Sequence, residues 1–192
     1  MKGALPKFTN VHLWKTLREI YLTQTIGRKR LASQVGVGEG TIRTILKYFK
    51  AKDFVVIEQV GIKLSEKGKK IFEKYRLQTT ALEKSGLTVG KYNCAVIVKN
   101  KASKIKLGIE QRDEAIKAGA TGTTTLVYKN NVLSFPGEAQ ALDQSYPKIS
   151  ALIISKFNPE NNDVIIIGSG MSLKKAEEGA LAAALELVKF KI

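Results

Sequence analysis

Cysteine and histidine are almost absent from this sequence of 192 residues. Cys94 is the only cysteine and His12 is the only histidine. A single cysteine excludes an intrachain disulfide and fits a reducing compartment. With one residue of each type there is no His/Cys cluster for zinc, and the sequence forces no Ser-His-Asp catalytic set. We therefore expect no metal site, no cofactor and no catalytic site, and we predict that the protein is not an enzyme.

Long apolar runs are lacking as well. The run Val164–Ile167 has the length of a strand, whereas a membrane helix needs about 20 apolar residues. Residues Met1–Phe8 contain no apolar run of signal-peptide length. We expect a soluble cytoplasmic protein with no membrane partner.

The positive charge is distributed unevenly along the chain. The whole sequence carries a formal charge of +15. Met1–Gln78 has 17 Lys and Arg against 6 Asp and Glu, a net of +11, and Thr79–Ile192 has 15 against 11, a net of +4. A basic balance favours nucleic acid as partner, with acidic membrane surfaces and acidic proteins as competitors.

The pattern of residues changes between about Gln78 and Gly90. Short helical patterns dense in Lys and Arg come before this point, and apolar β-rich runs alternating with helical segments come after it. We predict an N-terminal domain, Met1–Gln78, and a C-terminal domain, Leu87–Ile192. Thr79–Gly86 is predicted to be a linker, and it could equally continue the preceding helix.

The N-terminal domain is predicted to contain a helix-turn-helix. Two helices that cross closely need a small residue midway along the first and a turn that tolerates positive φ. Ala32 and Gly36 meet these demands, and Ile42 and Ile45 supply apolar contacts for the second helix. The predicted elements are helices around Leu13–Tyr21, at Arg28–Val35 and at Glu39–Lys50, strands at Val55–Glu58 and Ile62–Leu64, and a helix capped by Ser65.

The outer face of the second of these helices carries the candidate DNA-binding residues. They are Gly40, Thr41, Arg43, Thr44, Lys47 and Lys50. Arg43 and Lys47 lie one turn apart and can reach base edges or phosphates. The alternative is a solvated helix face, but the neighbouring Arg28, Lys29 and Arg30 and the charge of the domain favour DNA.

Two runs in this domain resemble the winged-helix transcription regulators of bacteria and archaea. They are Leu31–Arg43 and Leu64–Gly68, and the second is similar to the Leu-(Ser/Thr)-x-x-Gly signature that follows the wing. The resemblance implies double-stranded DNA as partner, a recognition helix at about Gly40–Lys50 and a wing at Gln59–Lys63. Because the wing is short and carries only Lys63 near its tip, we expect phosphate contact there. Such regulators commonly bind two half-sites, so we expect a homodimer.

The C-terminal domain is predicted to be a small sheet covered by helices, so the fold class of the chain is α+β or mixed α/β. The predicted strands are Asn93–Lys99, Thr123–Tyr128, Val132–Phe135 and Asp163–Gly168, and the predicted helices are Ile109–Ala118, Tyr146–Phe157 and Leu173–Val188. The strand order is not readable from the sequence.

The chain as a whole resembles archaeal winged-helix proteins with an uncharacterised C-terminal α/β domain. The residues that carry this resemblance are Glu110–Ala120, Ile167–Ser169 and Lys175–Leu185. This resemblance implies no particular activity for the C-terminal domain.

A predicted turn at Gly168, Ser169 and Gly170 is the first candidate ligand site. Backbone N–H groups before a helix, with hydroxyls of Ser169 and Ser172, can hold a small anionic metabolite. Lys174 and Lys175 belong to the same turn. The alternative is an ordinary connection in which Ser172 caps the helix.

The second candidate ligand site combines Arg112 with the hydroxylic residues Thr121 and Thr123. Arginine pairs with carboxylate or phosphate groups. The alternative is a helix that ends at Gly119 before a β-branched strand.

Together these features predict a sequence-specific transcription regulator whose C-terminal domain senses a ligand or dimerises. Two other classes stay open: an enzyme with a DNA-binding appendage, which a cleft containing Asp113 and Glu177 would favour, and a structural DNA-binding protein without an effector.

Overall fold

The computed structural model describes residues 8–192, which form two compact units. The first unit comprises the described residues up to Arg76 together with Lys191–Ile192, and the second comprises Leu77–Phe190. None of the helices in the described part of the chain combines the length and apolar composition that a membrane span requires.

The first unit has the predicted order of three helices, a hairpin and a fourth helix. Its elements are α1 (Asn10–Thr23), α2 (Arg28–Val35), α3 (Glu39–Ala51), β1 (Val55–Glu58), β2 (Gly61–Leu64) and α4 (Glu66–Lys74). The strands β1 and β2 are antiparallel and joined by a two-residue turn. Ile26 adds a single bridge to Ile62, with its N–H donating to the Ile62 carbonyl at 3.1 Å.

Apolar side chains at helical spacing build the core of this unit. Trp14 on α1 and Ile42, Ile45 and Phe49 on α3 have no exposed surface. On α3 the opposite face is left to solvent. The indole N–H of Trp14 also donates to the carbonyl of Tyr75 at 2.8 Å, which connects α1 with the end of α4.

The turn between α2 and α3 has the geometry that the sequence predicts. Gly36 ends α2 with φ +80°. Its N–H donates to the Ser33 carbonyl at 3.2 Å, and the Val37 N–H donates to the Ala32 carbonyl at 3.1 Å. This pair of hydrogen bonds is a Schellman motif, which a glycine in the left-handed region stabilises. The predicted helix-turn-helix is confirmed.

The second unit is a five-stranded sheet with helices on both faces. Its elements are β3 (Gln78–Leu82), β4 (Tyr92–Val98), a 3-10 turn (Ala102–Lys104), α5 (Ile109–Lys117), β5 (Gly122–Lys129), β6 (Val132–Ser134), α6 (Leu142–Ser145), α7 (Pro147–Phe157), β7 (Asp163–Gly170) and α8 (Leu173–Leu187). The strand order is β3-β4-β7-β5-β6, and every neighbouring pair is antiparallel. The predicted mixed α/β class is confirmed.

Every residue of the central strand β7 is buried. On one face of the sheet, Ile165 and Ile167 pack in a core with Ile153 and Phe157 of α7. On the opposite face lies α8, with α5 beside it. The core of this unit is therefore a sheet between two helical layers.

Small residues bring α8 unusually close to β7. A Cβ atom on Gly168 would lie 2.7 Å from the backbone nitrogen of Ala180, and still closer to the carbonyl oxygen of Ala176. A Cβ atom on Gly170 would lie 2.8 Å from the backbone nitrogen of Ala176. The helix therefore rests directly on the strand backbone.

The segment predicted as a linker, Thr79–Gly86, differs from that prediction. Gln78–Leu82 forms the edge strand β3, which pairs with β4 from Gln78 opposite Ile97 to Leu82 opposite Asn93. The alternative of a continued helix is also wrong, since α4 ends at Lys74. The strand forms because β4 offers a free edge for backbone pairing and Leu82 is buried in the core.

We expect Gly168→Ala to destabilise the second unit by about 3 kcal/mol or more, because the new methyl group meets helix backbone that cannot rotate away. Gly86→Ala is the matched control, since its Cβ would meet only Tyr146 at an ordinary 3.5 Å. Denaturant unfolding of both variants measures the difference. Equal stability of the two would contradict the packing described here.

Candidate nucleic-acid interface

The outer face of α3 presents basic side chains to solvent. Arg43, Thr44, Lys47 and Lys50 are exposed, as is Gly40, whereas Thr41 is half-buried. The Thr44 hydroxyl, one of the predicted DNA-binding groups, donates to the Gly40 carbonyl of the same helix at 3.1 Å. Among residues 8–192, no carboxylate lies within ion-pair distance of Arg43 or Lys47, and their charges face solvent.

The first turn of α2 is a second basic feature of this unit. Arg28, Lys29 and Arg30 are exposed there, and Gly27 precedes them without a side-chain cap. The three residues line a shallow, open depression together with Gly27, Ser33 and Glu39. A helix start without a side-chain cap offers N–H donors and a partial positive charge, which suit a phosphate group.

The wing is less basic than its predicted role requires. Its tip consists of Gln59 and Val60, and Val60 is 72% exposed. The ammonium group of Lys63 pairs with the Glu58 carboxylate of the same hairpin at 2.8 Å. This carboxylate offsets the charge of the only predicted phosphate contact on the wing. The basic side chains of α2 and of the outer face of α3 have no such partner among residues 8–192.

Comparison with known families separates the chain at nearly the same place as the fold does. Residues 12–78 match the family described as the CggR N-terminal DNA binding domain. Residues 89–187, more than half of the chain, match the family described as a domain of unknown function, DUF4443. The chain belongs to the DUF4443 family.

Among solved structures, this DUF4443 protein is similar to a hypothetical protein from Pyrococcus horikoshii OT3. The two are 30% identical with a TM-score of 0.72, and the match covers 95% of this chain and 94% of the other. No curated protein matches the sequence. The predicted resemblance to winged-helix proteins with an uncharacterised C-terminal domain is confirmed.

The first candidate ligand site of the DUF4443 protein has a different structure from the predicted turn. Strand β7 continues through Gly168, Ser169 and Gly170, all of which are buried. Ser169 lies between Asn93 on β4 and Gly122 on β5, and its hydroxyl donates to the Asn93 side-chain oxygen at 2.8 Å. Its carbonyl accepts from the backbone N–H of Thr121 at 2.8 Å. This segment is part of the sheet ladder, and the prediction of an anion-binding turn is wrong.

The side chains after this segment also have partners. The Ser172 hydroxyl accepts from the Lys175 N–H at 3.3 Å, so Ser172 is the N-cap of α8, which was the alternative interpretation. The ammonium groups of Lys174 and Lys175 lie 3.8 Å and 3.0 Å from the carboxylate oxygens of Glu178, which is buried. Glu178 therefore offsets the charge on which the predicted anion site depended.

The second candidate ligand site is brought together in part. Arg112 is exposed on α5, and the Thr121 hydroxyl donates to the Ser169 carbonyl at 3.0 Å. Helix α5 ends before Gly119, which has φ +91°, as the alternative interpretation had it. The oxygen of Thr123 is buried and makes no hydrogen bond within residues 8–192.

Three residues that the sequence analysis missed share this property with Thr123, and one of them, Ser85, lies in the connection between β3 and β4. The side-chain oxygens of Gln111 on α5 and Thr125 on β5 are buried and unpartnered in the described part of the chain. We call Gln111, Thr123 and Thr125 the α5–β5 seam. Gln111 precedes the fully buried Ala115 by one helical turn, and this spacing was the available sign that it faces inward.

The carboxylates of the enzyme hypothesis are not gathered in one cleft. Glu177 lines a groove of about 260 Å³ between β3 and α8, whose lining does not include Asp113. Asp113 is exposed on α5. His12 accepts from the Thr9 N–H at 3.0 Å and so helps to cap α1, and Cys94 is buried in β4.

Proposed function

We propose that this protein is a sequence-specific transcription regulator that binds duplex DNA through α3. One observation carries the proposal: α3 has a fully buried apolar face and an opposite face on which Arg43 and Lys47 are exposed, one turn apart and without carboxylate partners in residues 8–192. The family match of residues 12–78 supports it.

The proposed mechanism divides the contacts between base edges and phosphates. The major groove of B-DNA admits an α-helix, and arginine there donates two hydrogen bonds to the edge of guanine. We assign this reading role to Arg43 and a phosphate contact to Lys47. Phosphate contacts from Arg28, Lys29 and Arg30 at the start of α2 would fix the register of α3 on the duplex.

We expect Arg43→Ala to weaken binding to the preferred sequence by roughly 1–3 kcal/mol and to relax base preference, because a base contact is lost. Lys47→Ala should weaken binding to all sequences alike. Lys70→Ala on α4 is the matched control, since it removes the same charge from an exposed position of the same unit.

Fluorescence anisotropy with a selected duplex and a random duplex measures these effects. If Arg43→Ala and Lys47→Ala both bind like Lys70→Ala, then α3 is not the DNA-binding helix.

The proposal includes a homodimer, because one recognition helix contacts too few base pairs to be specific in a genome. We expect light scattering of the full chain to give twice the mass of one protomer at micromolar concentration. A monomer both with and without DNA would rule the dimer out.

We further propose a division of labour in which residues 1–78 bind DNA and residues 87–192 bind a small anionic metabolite. The support for an effector is the α5–β5 seam. Buried polar atoms in folded proteins almost always have hydrogen-bond partners, and those without one mark positions for water or a small polar molecule. The exposed Arg112 follows Gln111 directly on α5 and would supply the charge for an anion.

We expect at least one anion among amino acids, nucleotides and phosphorylated metabolites to raise the melting temperature of the full chain, because a ligand that binds only the folded state stabilises it. Arg112→Ala should abolish this rise, whereas Lys148→Ala, an equal charge change on α7, should preserve it. A thermal-shift screen without any stabilising anion, or with the same response in Arg112→Ala, would overturn the effector proposal.

A further inference from the structure

A short lysine-rich segment of the second unit has no role in the sites described so far. Residues 99–106 contain four lysines and no acidic residue. The segment follows β4 and includes the 3-10 turn Ala102–Lys104. We call Lys99–Lys106 the lysine loop. Its charge equals the whole net charge of +4 that the chain carries after Gln78.

The backbone of the lysine loop is held by the residues that precede β7. The Asp163 carboxylate is 1% exposed and accepts from the Asn100 N–H at 2.9 Å. The Ala102 N–H donates to the Asn162 carbonyl at 2.8 Å, and the Ser103 N–H donates to the Asn162 side-chain oxygen at 3.1 Å. Because these contacts hold the loop before any partner arrives, its backbone requires little further ordering on binding.

The lysines of the loop differ in whether a carboxylate offsets their charge. Lys99 pairs with Asp163 at 2.9 Å, so its charge is largely offset. Lys101, Lys104 and Lys106 have no carboxylate within ion-pair distance among residues 8–192. The Lys104 N–H donates to the Lys101 carbonyl at 2.9 Å. Lys101 is therefore the N-cap of the 3-10 turn and Lys104 is its last residue.

We propose that the lysine loop is a second phosphate-binding surface, which contacts the backbone of duplex DNA. The inference rests on the proposed function of the first unit. A lysine ammonium is a point charge without the planar fork that reads base edges, so it suits phosphate groups. Such contacts add affinity for every DNA sequence and leave base preference unchanged. The loop thus gives the DUF4443 domain a direct part in DNA binding.

The test replaces Lys101, Lys104 and Lys106 together by Gln in the full chain. Affinity for a random duplex of about 30 base pairs, roughly three helical turns, is measured by anisotropy between roughly 50 and 200 mM salt. Each lost phosphate contact lowers the magnitude of the slope of log K against log salt by about 0.9. The slope of the triple variant should therefore be smaller in magnitude than that of the wild type by roughly 2 to 3. Its ratio of affinities for selected and random DNA should equal that of the wild type.

The matched control replaces Lys84, Lys91 and Lys148 by Gln. These lysines are exposed, lie in the same unit and carry the same total charge, but they are outside the loop. The control should keep the wild-type salt dependence. An equal slope for the two triple variants would overturn the inference, because the loop would then contribute only through net charge.

Two further outcomes separate this inference from the function on which it rests. If Arg43→Ala weakens binding and the loop variant does not, only the inference fails. If the wild type binds no duplex at all, the proposed function fails.

Exposed Leu107 and Ile109 adjoin the loop, so co-sedimentation with phosphatidylserine vesicles is measured in parallel. Loss of vesicle binding with an unchanged DNA slope would identify a membrane surface and overturn the inference.

Discussion

Contact between the backbone of α8 and the backbone of β7 is the constraint on which the second unit depends. Gly168 and Gly170 on the strand leave no room for even a methyl group beneath the helix. Gly179 on α8 does the same toward α5 and the turn after it, since its Cβ would overlap that of Ala120 and lie 3.4 Å from that of Ala115. The elements β7, α8 and α5 therefore meet through glycine and alanine. Close contacts between backbone atoms and small side chains supply the dispersion attraction that large side chains supply elsewhere in a core. The same close approach leaves no space for a ligand where the sequence placed one.

Much of the first unit could be predicted because its determinants are local. Helical spacing, the Ala32–Gly36 turn and the Leu64–Gly68 run each act over fewer than a dozen residues. The structure explains the last of these physically. A Cβ atom on Gly68 would overlap the carbonyl group of Phe54, and the Ser65 hydroxyl accepts from the Gly68 N–H at 3.0 Å. The signature therefore encodes a helix cap that lies against the strand entering the wing.

The errors in the second unit come from interactions between residues far apart in the sequence. Strand β3 has little apolar pattern of its own and becomes a strand because β4 offers it an edge. Glycine and serine at 168–170 have the composition of a turn, but they form the end of a buried strand because α8 needs small residues beneath it. Local pattern cannot distinguish a glycine that frees the backbone from one that admits a neighbouring helix. Gln111 was overlooked for the same reason, since its helix α5 packs against α8 and β5, which lie later in the sequence.

Net charge alone is a poor guide to the surface that binds DNA. In the second unit, Asp163, Glu114 and Glu178 pair with Lys99, Lys117 and the lysines at the start of α8. The hydrogen bond and charge of Glu114, whose carboxylate lies 2.6 Å from the ammonium group, raise the pKa of Lys117. A paired lysine must exchange one anion for another to bind phosphate, so its contribution to affinity is small.

The basic groups that remain without a carboxylate partner in residues 8–192 include those on the outer face of α3 and in the lysine loop. DNA binding should follow the positions of these unpaired cations more closely than the formal charge of either unit. Under the proposed function, affinity would be spread over both units while base reading would stay with Arg43. A ligand in the second unit would then be able to change DNA affinity by altering the lysine loop, without altering the recognition helix.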